Sequence, residues 1–558
     1  MASRNLEEEE RSGRQARSSG INRAPTRAAA AGALAVLTTP GLPLSTIFGT
    51  LEQDDKMRLG STCTSLRQAS QAWFPEVTVQ VVPGNTNVAS LAAWLERHQA
   101  CLHVFDEDED NVIDAGQASE AEWSESLAAF PTSLVTSLVT HNRVLSAAVS
   151  TLTALTRLEF SPDDEEEIDD LPFSASARYL RPLTRLRQLT LRERNVGCNA
   201  EELLSLPAGL QTLELRICNL KRLPRALSAL TQLTALDLFN NPLLATSPLA
   251  TLQRLQRLDL SYCSLTTVPE QLSVLTALTR LVLSVNKLES GWQHLLRLTS
   301  LQGLYLSYNS LTAVPEQVAA LTALTCLDMS GNEALASGWQ HLLSLPQLYD
   351  LNFEYCGSTA VPRQLSALTA LTRLSLSSFR LNSGWRLPAQ LQDLKLSGCD
   401  LAAVPEQLSA LMALTSLDLR YNMQLDGGWQ HLLPLTQLLH LNLQGVQLPN
   451  QEAPPELAAL PQLHVVWRHY AICVTIGGGQ PAAATQAQQQ PQAEEVQAGF
   501  GQLPTLLADM LFEQQADLEK YRGSRCGTGL RRCASECVAQ DQVLEHRMVK
   551  PVVINQLQ

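Results

Sequence analysis

The chain has 558 residues, of which 45% are hydrophobic but only 5% aromatic, so leucine and alanine build most of its core. Its formal net charge of −14 argues against a general nucleic-acid-binding protein, because such a protein presents a basic surface. The longest apolar run near the start, Ala28–Leu37, has ten residues and is too short to span a bilayer, so no membrane partner is expected.

Residues 1–37 are polar and then rich in alanine, and this composition predicts a disordered tail. Arginine and serine in the first 27 residues give a faint likeness to a transit peptide. The acidic run Glu7–Glu10 does not fit such a peptide, which is poor in acidic residues, so the disordered tail is the favoured interpretation.

Residues 38–75 form a compact apolar segment with helical spacing. Leu44, Ile47, Phe48 and Leu51 are three or four residues apart, which places them on one stripe of a helix. A segment of about 40 residues is too small to bury such a stripe alone. We therefore expect it to contact either a partner or the repeats that follow it.

The spacing in this segment follows the F-box pattern at Pro40, Leu44, Ile47, Phe48, Leu51, Asp55, Cys63 and Arg67. The segment therefore resembles an F-box, although Thr39, Lys56, Thr62 and Leu66 depart from the pattern. The resemblance implies that the segment docks on the Skp-type linker of a cullin–RING ubiquitin ligase. The residues that it assigns to this contact are Pro40, Leu44, Ile47, Phe48 and Leu51. The alternative is a helical cap that seals the first coil of the repeats.

Residues 76–134 are predicted to connect this segment to the repeats or to cap them. They contain a strand-like stretch at Val77–Val82, a helix-like stretch at Ser90–Gln99 and an acidic run at Asp106–Asp110. The acidic run is typical of a solvated loop, because a block of like charges repels itself.

From residue 135 to residue 476 a leucine pattern returns about every 23 residues. The copy at Leu278 reads LTRLVLSVNKLESGWQHLLRLTS, and the copy at Leu301 reads LQGLYLSYNSLTAVPEQVAALTA. Both copies begin L-x-x-L-x-L and carry Asn at the ninth position, where several other copies carry Cys. A small side chain at this position is expected to turn inward and meet backbone groups of the neighbouring coil. This period and lettering predict an α/β leucine-rich-repeat solenoid, a horseshoe whose concave face is offered to another macromolecule.

The copies from Leu155 to Leu463 predict a concave sheet of about fourteen parallel strands. The acidic stretch Asp163–Asp170 is an insertion in a loop, because the coils must keep their register. Two kinds of copy alternate, one continuing V-P-E-Q-L-S-A-L and the other G-W-Q-H-L-L. Each kind of copy predicts short helices or 3₁₀ turns, or a mixture of the two, on the convex side.

The concave face is predicted to bind a protein. Its candidate contact residues lie at the third, fifth and eighth positions near the middle of the array: Arg257, Arg280, Tyr305, Tyr308, Asp328 and Tyr355. Tyr and Arg are common anchors in interfaces. The alternative is that these residues belong to the repeat consensus, since Asp at the fifth position and Tyr at the eighth recur.

No pattern in the chain predicts catalysis, a cofactor, a metal site or a small-molecule substrate. His294, His341 and His431 recur in the same phase, but residues two coils apart are about 10 Å apart, too far for zinc ligands. Cys526, Cys533, Cys537 and His546 lack the paired knuckles of zinc modules. The phosphate-loop, zincin and hydrolase motifs are missing from the sequence.

Cysteine usage indicates a reducing compartment. Cys218, Cys263, Cys356 and Cys399 follow the repeat period rather than a disulfide framework. We therefore expect a cytoplasmic protein, with the nucleus and the ciliary axoneme as alternatives.

Residues 477–558 begin with Gly477–Gly479 and a Gln/Ala tract, which predict a flexible linker followed by a mostly disordered tail.

Together these patterns predict a protein–protein interaction molecule and not an enzyme. The leading hypothesis is the substrate-recognition subunit of an SCF-type cullin–RING ubiquitin ligase that holds a client protein on its concave face. The alternative is a leucine-rich-repeat scaffold or signalling adaptor without a ligase, including a ciliary or axonemal one.

Overall fold

The computed structural model describes residues 76–475, except for 82–85, 99–100, 106–119, 142–144, 162–177, 193–205, 244, 358–360, 382–383, 449–453, 461 and 467–473. Three of the predicted segments lie outside these residues: the tail at 1–37, the F-box-like segment at 38–75 and the region 477–558. Both acidic runs also lie outside them.

The chain divides into two compact units, which consist mainly of residues up to Thr140 and of residues from Thr156 onwards. The described elements of the first unit are β1 Glu76–Gln80, α1 Val88–His98, β2 Cys101–Phe105, α2 Glu120–Ala128 and β3 Val135–Thr140. Strand β2 pairs in parallel with both β1 and β3. The predicted strand and helix in this region are confirmed, whereas β2 and α2 were not predicted.

Each helix of the first unit buries apolar side chains. Leu91 and Leu95 of α1 are buried, as are Trp123 and Leu127 of α2. The side chain of Asn87 begins α1 by accepting a hydrogen bond from the Ser90 backbone N–H at 3.0 Å, as an N-cap residue does.

The second unit is a stack of coils whose strands form one parallel sheet. In chain order the strands are β4 Arg157–Phe160, β5 Gln188–Arg192, β6 Thr212–Arg216, β7 Ala235–Asp237, β8 Arg257–Asp259, β9 Arg280–Val282, β10 Gly303–Tyr305, β11 Cys326–Asp328, β12 Asp350–Asn352, β13 Arg373–Ser375, β14 Asp393–Lys395, β15 Ser416–Asp418, β16 His440–Asn442 and β17 His464–Val466. Each pairs in parallel with the next, and β18 Val474–Thr475 pairs antiparallel with β17. The prediction of fourteen parallel strands is confirmed for β4 to β17.

Every helix described in the return paths of these coils is a 3₁₀ helix. The 3₁₀ helices are Ala147–Thr151, Arg178–Leu180, Arg225–Ala229, Ser247–Thr251, Glu270–Val274, Trp292–Leu295, Glu316–Ala320, Trp339–Ser344, Arg363–Ala367, Glu406–Ala410, Trp429–Leu432 and Pro455–Ala459. The leucines at the first, fourth and sixth repeat positions fill the interior, and Leu278, Leu281 and Leu283 are fully buried.

The two kinds of copy begin their 3₁₀ helices with different backbones. Pro315 precedes one helix with φ −59 and ψ 135, values that proline adopts readily. Gly338 precedes the next with φ 83, a left-handed conformation that glycine adopts without strain. A Cβ at Gly338 would also lie 2.4 Å from the Val314 carbonyl oxygen of the preceding coil. The glycine of the second kind of copy therefore has a conformational and a steric cause.

The ninth repeat position ties neighbouring coils together through buried hydrogen bonds. Asn286 Nδ2 donates to the Leu260 and Leu283 carbonyl oxygens, each at 2.9 Å. Its Oδ1 accepts from the backbone N–H groups of Cys263 at 3.1 Å and Leu265 at 2.9 Å. The prediction that this side chain turns inward to meet backbone of the neighbouring coil is confirmed.

Cysteine fills the same position with fewer hydrogen bonds. The Cys263 thiol donates to the Leu238 carbonyl oxygen of the preceding coil at 3.2 Å, and burial raises the pKa of this thiol to about 12. The four cysteines predicted to follow the repeat are all buried, and none of them is in a disulfide: Cys218, Cys263, Cys356 and Cys399.

Replacing Asn286 by alanine is expected to lower the free energy of unfolding by about 2–4 kcal/mol, because several buried backbone groups lose their partners. Asn286→Cys should lower the free energy of unfolding by less, since cysteine occupies the ninth position of another copy at Cys263. Urea denaturation followed by circular dichroism measures both changes. Asn352→Ala is the matched control, because Asn352 makes its described hydrogen bond at the solvent-facing side of the sheet. Equal losses for Asn286→Ala and Asn352→Ala would contradict the role of the ninth position.

Candidate functional site

The strand face of the second unit is formed by the first and third residues of each short strand. Side chains of a strand alternate between its two sides, so these residues point away from the buried leucines. From β8 to β13 the first residues are Arg257, Arg280, Gly303, Cys326, Asp350 and Arg373, and the third residues are Asp259, Val282, Tyr305, Asp328, Asn352 and Ser375. Register places equivalent residues of adjacent strands about 4.8 Å apart.

Arg280 and Tyr305 form the middle of this face. Arg280 Nη1 donates to the Tyr305 hydroxyl at 2.6 Å, and the guanidinium carbon lies 4.2 Å from the centre of the Tyr305 ring. Gly303 makes room for the ring, because a Cβ there would approach Tyr305 Cε2 to 3.1 Å. Arg257 lies beside Arg280 in direct register on β8.

The polar contacts continue from Tyr305 across the next three strands. The Cys326 thiol lies 3.6 Å from the Tyr305 hydroxyl and 3.9 Å from Asp350 Oδ2. Arg373 Nη2 donates to Asp350 Oδ2 at 2.6 Å. Arg280, Tyr305, Cys326, Asp350 and Arg373 thus form a connected line over five strands, which we name the central row.

Asp328 is the most buried of the predicted contact residues. Its Oδ1 accepts a hydrogen bond from the Ser330 backbone N–H at 2.9 Å, which closes the turn after β11. Burial, with smaller contributions from the nearby Glu354 and Asp350 carboxylates, raises the pKa of the Asp328 carboxyl to about 6. This aspartate therefore supports the turn, in agreement with the alternative that fifth-position Asp belongs to the repeat consensus.

Tyr308 and Tyr355 lie in the turns that follow β10 and β12, each with φ 53. The left-handed backbone at this eighth position sends the ninth side chain into the interior. The Tyr308 ring covers Gly331 of the next coil, where a Cβ would lie 2.5 Å from it. The sequence grouped Tyr308 with Arg257, Arg280 and Tyr305, but its ring is directed along the turns, because the eighth residue comes after the strand has ended.

A second cluster of polar residues, which the repeat spacing alone does not indicate, lies on β6 to β8. Glu214, Asp237 and Asp259 are the third residues of these strands and stand in direct register. Burial raises the pKa of the Glu214 carboxyl. The pKa of the Asp259 carboxyl is raised to about 6, mainly by burial and secondly by the negative charge of Asp237. An ion pair of 3.4 Å joins Arg216 Nε to Asp237 Oδ2. The signal was present in the sequence as three acidic residues at the fifth position of consecutive copies.

Within the described residues no group of three or more His, Cys, Asp and Glu side chains is arranged to hold a metal ion. His294, His341 and His431 lie in 3₁₀ helices on the opposite side of the coils from the strands. Of the helices in the described part of the chain, none is both long enough and apolar enough to cross a membrane.

A family model described as Leucine Rich Repeat matches residues 254–275, which run from the end of one 3₁₀ turn through β8 to the next 3₁₀ helix. A search of curated proteins finds no match to this sequence.

Several solved structures are similar to this chain at low identity. A leucine-rich-repeat protein of Leptospira interrogans is 20% identical, with 69% of this chain and 94% of that chain covered and a TM-score of 0.44. Toll of Drosophila, solved in complex with Spätzle, is 17% identical, with coverages of 70% and 51% and a TM-score of 0.47. The ectodomain of the plant receptor kinase GASSHO1/SCHENGEN3 from Arabidopsis thaliana, solved with Casparian strip integrity factor 2, is 21% identical, with coverages of 70% and 43% and a TM-score of 0.41.

The parallel strands, the inward ninth side chains and the 3₁₀ return paths define the second unit as a leucine-rich-repeat solenoid. The family match at residues 254–275 agrees with this class.

The raised pKa of Asp259 predicts that this residue makes stability depend on pH. A carboxyl whose pKa is higher in the folded state stabilises the fold fully below its unfolded pKa of about 4, and this contribution is lost as the pH rises through about 6. Asp259→Asn keeps the acceptor for Ser261 and removes the charge. It should therefore stabilise the protein by roughly 1–2 kcal/mol at pH 7.5 and by much less at pH 4.

Urea denaturation of the wild type and Asp259→Asn at both pH values measures this difference. Glu333→Gln, which removes an exposed carboxylate from a loop, is the control and should give the same small change at both pH values. A gain from Asp259→Asn that is equal at pH 4 and pH 7.5 would contradict the assignment.

Proposed function

We propose that this chain is a protein-interaction molecule that binds a protein partner on the strand face between β8 and β13. The observation that carries the proposal is the central row, in which Arg280, Tyr305, Cys326, Asp350 and Arg373 contact one another across five consecutive strands. Five strands span about 20 Å, a width that suits one extended segment or the edge of a folded partner.

Preorganisation supports this choice of surface. Arginine and tyrosine supply much of the binding energy in many interfaces, but ordering each flexible side chain on binding costs about 0.5–1.5 kcal/mol. In the central row, Tyr305 holds Arg280 and Asp350 holds Arg373 before any partner arrives. A partner that meets these side chains therefore loses less of its binding free energy to ordering them.

We propose further that the chain is the substrate-recognition subunit of an SCF-type cullin–RING ubiquitin ligase. The support is the resemblance of residues 38–75 to an F-box, in a chain whose repeats offer a separate surface for a client. In this role the repeats hold the client, the F-box-like segment docks on the Skp-type linker, and catalysis belongs to other subunits. The compartment proposed for this role is the cytoplasm.

The second candidate is a scaffold or signalling adaptor without a ligase, in the cytoplasm, the nucleus or a ciliary axoneme. It requires only the strand face, and in it residues 38–75 act as a helical cap of the repeats. The two candidates share the same client surface and differ in whether a Skp-type protein binds.

The double variant Arg280→Ala/Tyr305→Ala is expected to lose most of the partners that the wild type retains, because it removes the Arg–Tyr contact at the centre of the row. Proximity labelling followed by isothermal titration with each purified partner measures the loss, expected to be at least about tenfold in affinity. Leu296→Ala/Arg297→Ala is the matched control, since both residues are exposed next to the 3₁₀ helix Trp292–Leu295. Retention of every partner by the strand-face variant would overturn the proposed site.

The double variant Ile47→Asp/Leu51→Asp is expected to abolish binding to a purified Skp-type protein, because two charges on the apolar stripe prevent its burial. Size-exclusion chromatography of the full chain mixed with that protein measures the complex. Circular dichroism should show that the repeats of the variant remain folded. If the wild-type chain forms no complex, the ligase role fails and the scaffold remains.

A further inference from the structure

We propose that His440 and His464 bind a divalent transition-metal ion, of the class of Zn²⁺ and Ni²⁺, through one imidazole nitrogen each. The two histidines lie on the strand face of β16 and β17, whereas the central row ends at Arg373 on β13. The inference therefore concerns a separate site and does not depend on the proposed function. The other coordination positions of the ion are left to water or to a ligand atom of a bound partner.

The register of the sheet places the two histidines side by side, and their rings are neighbours. His440 and His464 are the first residues of adjacent parallel strands and are direct register partners. Both are exposed, and their ring centres lie 5.9 Å apart with 25° between the ring planes. His294 and His341 occupy the same phase of their copies but are two coils apart, about 10 Å and too far for a shared ion. The pair on β16 and β17 is only one coil apart.

The distance between the rings is close to the one that a shared ion requires. An ion about 2 Å from one nitrogen of each ring holds the ring centres about 5 Å apart, so the observed rings need to approach by about 1 Å. They also need to turn until one nitrogen of each points at the ion. Histidine rings turn easily about the Cβ–Cγ bond, since this torsion has a broad range. Within the part of the chain that the structure describes, neither imidazole makes a hydrogen bond or an ion pair, so the turn breaks none.

The surroundings of the pair do not oppose a cation. Asp418 is the only charged side chain among the first and third residues of the strands β15 to β17, and its Oδ2 is paired with Arg420 Nε at 2.8 Å. The net charge of −14 also favours the approach of a cation. The six residues of these positions are Ser416, Asp418, His440, Asn442, His464 and Val466.

Two nitrogen ligands select the class of metal. Imidazole suits Zn²⁺, Ni²⁺ and Cu²⁺, whereas Mg²⁺ prefers oxygen ligands. One exposed imidazole binds such an ion weakly. The second nitrogen then meets the ion at a high effective concentration, because the sheet holds it next to the first. His440 and His464 should therefore bind as a unit, and the loss of either should remove most of the affinity.

The test uses the full-length chain labelled with ¹³C at the histidine Cε1 atoms, so that two-dimensional NMR follows its ten histidines individually. NiCl₂ is added at pH 7.5 in a buffer that does not bind metals, and the paramagnetic ion broadens the signals of the histidines that bind it. The His440 and His464 signals are expected to broaden together, at an Ni²⁺ concentration about tenfold below the one that broadens the His294 signal. MgCl₂ should leave all of these signals unchanged.

The single variants His440→Gln and His464→Gln identify the two signals and test whether the histidines act together. In His440→Gln, the His464 signal should need about tenfold more Ni²⁺ to broaden, and the converse should hold in His464→Gln. His294→Gln is the matched control, because it removes a half-buried imidazole from a 3₁₀ helix and should not alter the response of the pair. Thermal unfolding without metal verifies that the variants fold.

Two results would overturn the inference. The first is broadening of the His440 and His464 signals at the same Ni²⁺ concentration as the His294 signal, which would make them ordinary surface histidines. The second is an unchanged response of the His464 signal in His440→Gln, which would show that the two imidazoles do not share an ion. A lower melting temperature of both variants with an unchanged Ni²⁺ response would assign the ring contact to stability alone.

Discussion

The hydrogen bonds of the ninth repeat position are the constraint on which the second unit depends. Each Asn there donates to and accepts from backbone groups of its own coil and its neighbour, as Asn286 does with Leu260, Leu283, Cys263 and Leu265. Buried backbone groups need partners, and beyond the strands the Asn side chains supply some of them. Backbone hydrogen bonds between coils supply others, such as the one from the Val285 N–H to the Ser307 carbonyl oxygen at 2.8 Å. These bonds fix the height of each coil relative to the next, and the register of the strands follows.

Register then determines the chemistry of the strand face. Equivalent residues of neighbouring strands stand side by side in a column along the sheet. A substitution in one copy therefore alters the surroundings of its neighbours in that column. Glycine at the first strand position of β10 is such a change, since it lets the Tyr305 ring lie over the strand and reach Arg280. The same regularity places three acidic residues together on β6 to β8, where burial raises the pKa of Glu214 and Asp259. The repeat therefore builds the scaffold, and the departures from the repeat build the site.

Much of the fold could be predicted from the sequence because a solenoid repeats local rules. The leucine period predicted the strands β4 to β17, and the small residues at the ninth position predicted inward side chains that meet the neighbouring coil. Strand β2 and helix α2 were missed because they lie beside an acidic run, outside the clear period. Within the candidate site, the sequence placed Arg257, Arg280 and Tyr305 on one face, but it could not supply the contact between Arg280 and Tyr305. That contact requires a residue without a Cβ at position 303, which is Gly303, and it depends on the direction of the Tyr305 ring. Spacing alone does not encode that direction. Spacing alone could not show the direction of the Tyr308 ring either, because Tyr308 follows the strand and has a left-handed backbone.

The central claim is that the strand face is organised before a partner binds. A high-resolution crystal structure of the free chain tests it most directly. In that crystal we expect Arg280 to lie on the Tyr305 ring and donate to its hydroxyl, and Arg373 to be hydrogen-bonded to Asp350. Separate, solvated conformations of these four side chains above an otherwise intact parallel sheet would contradict it.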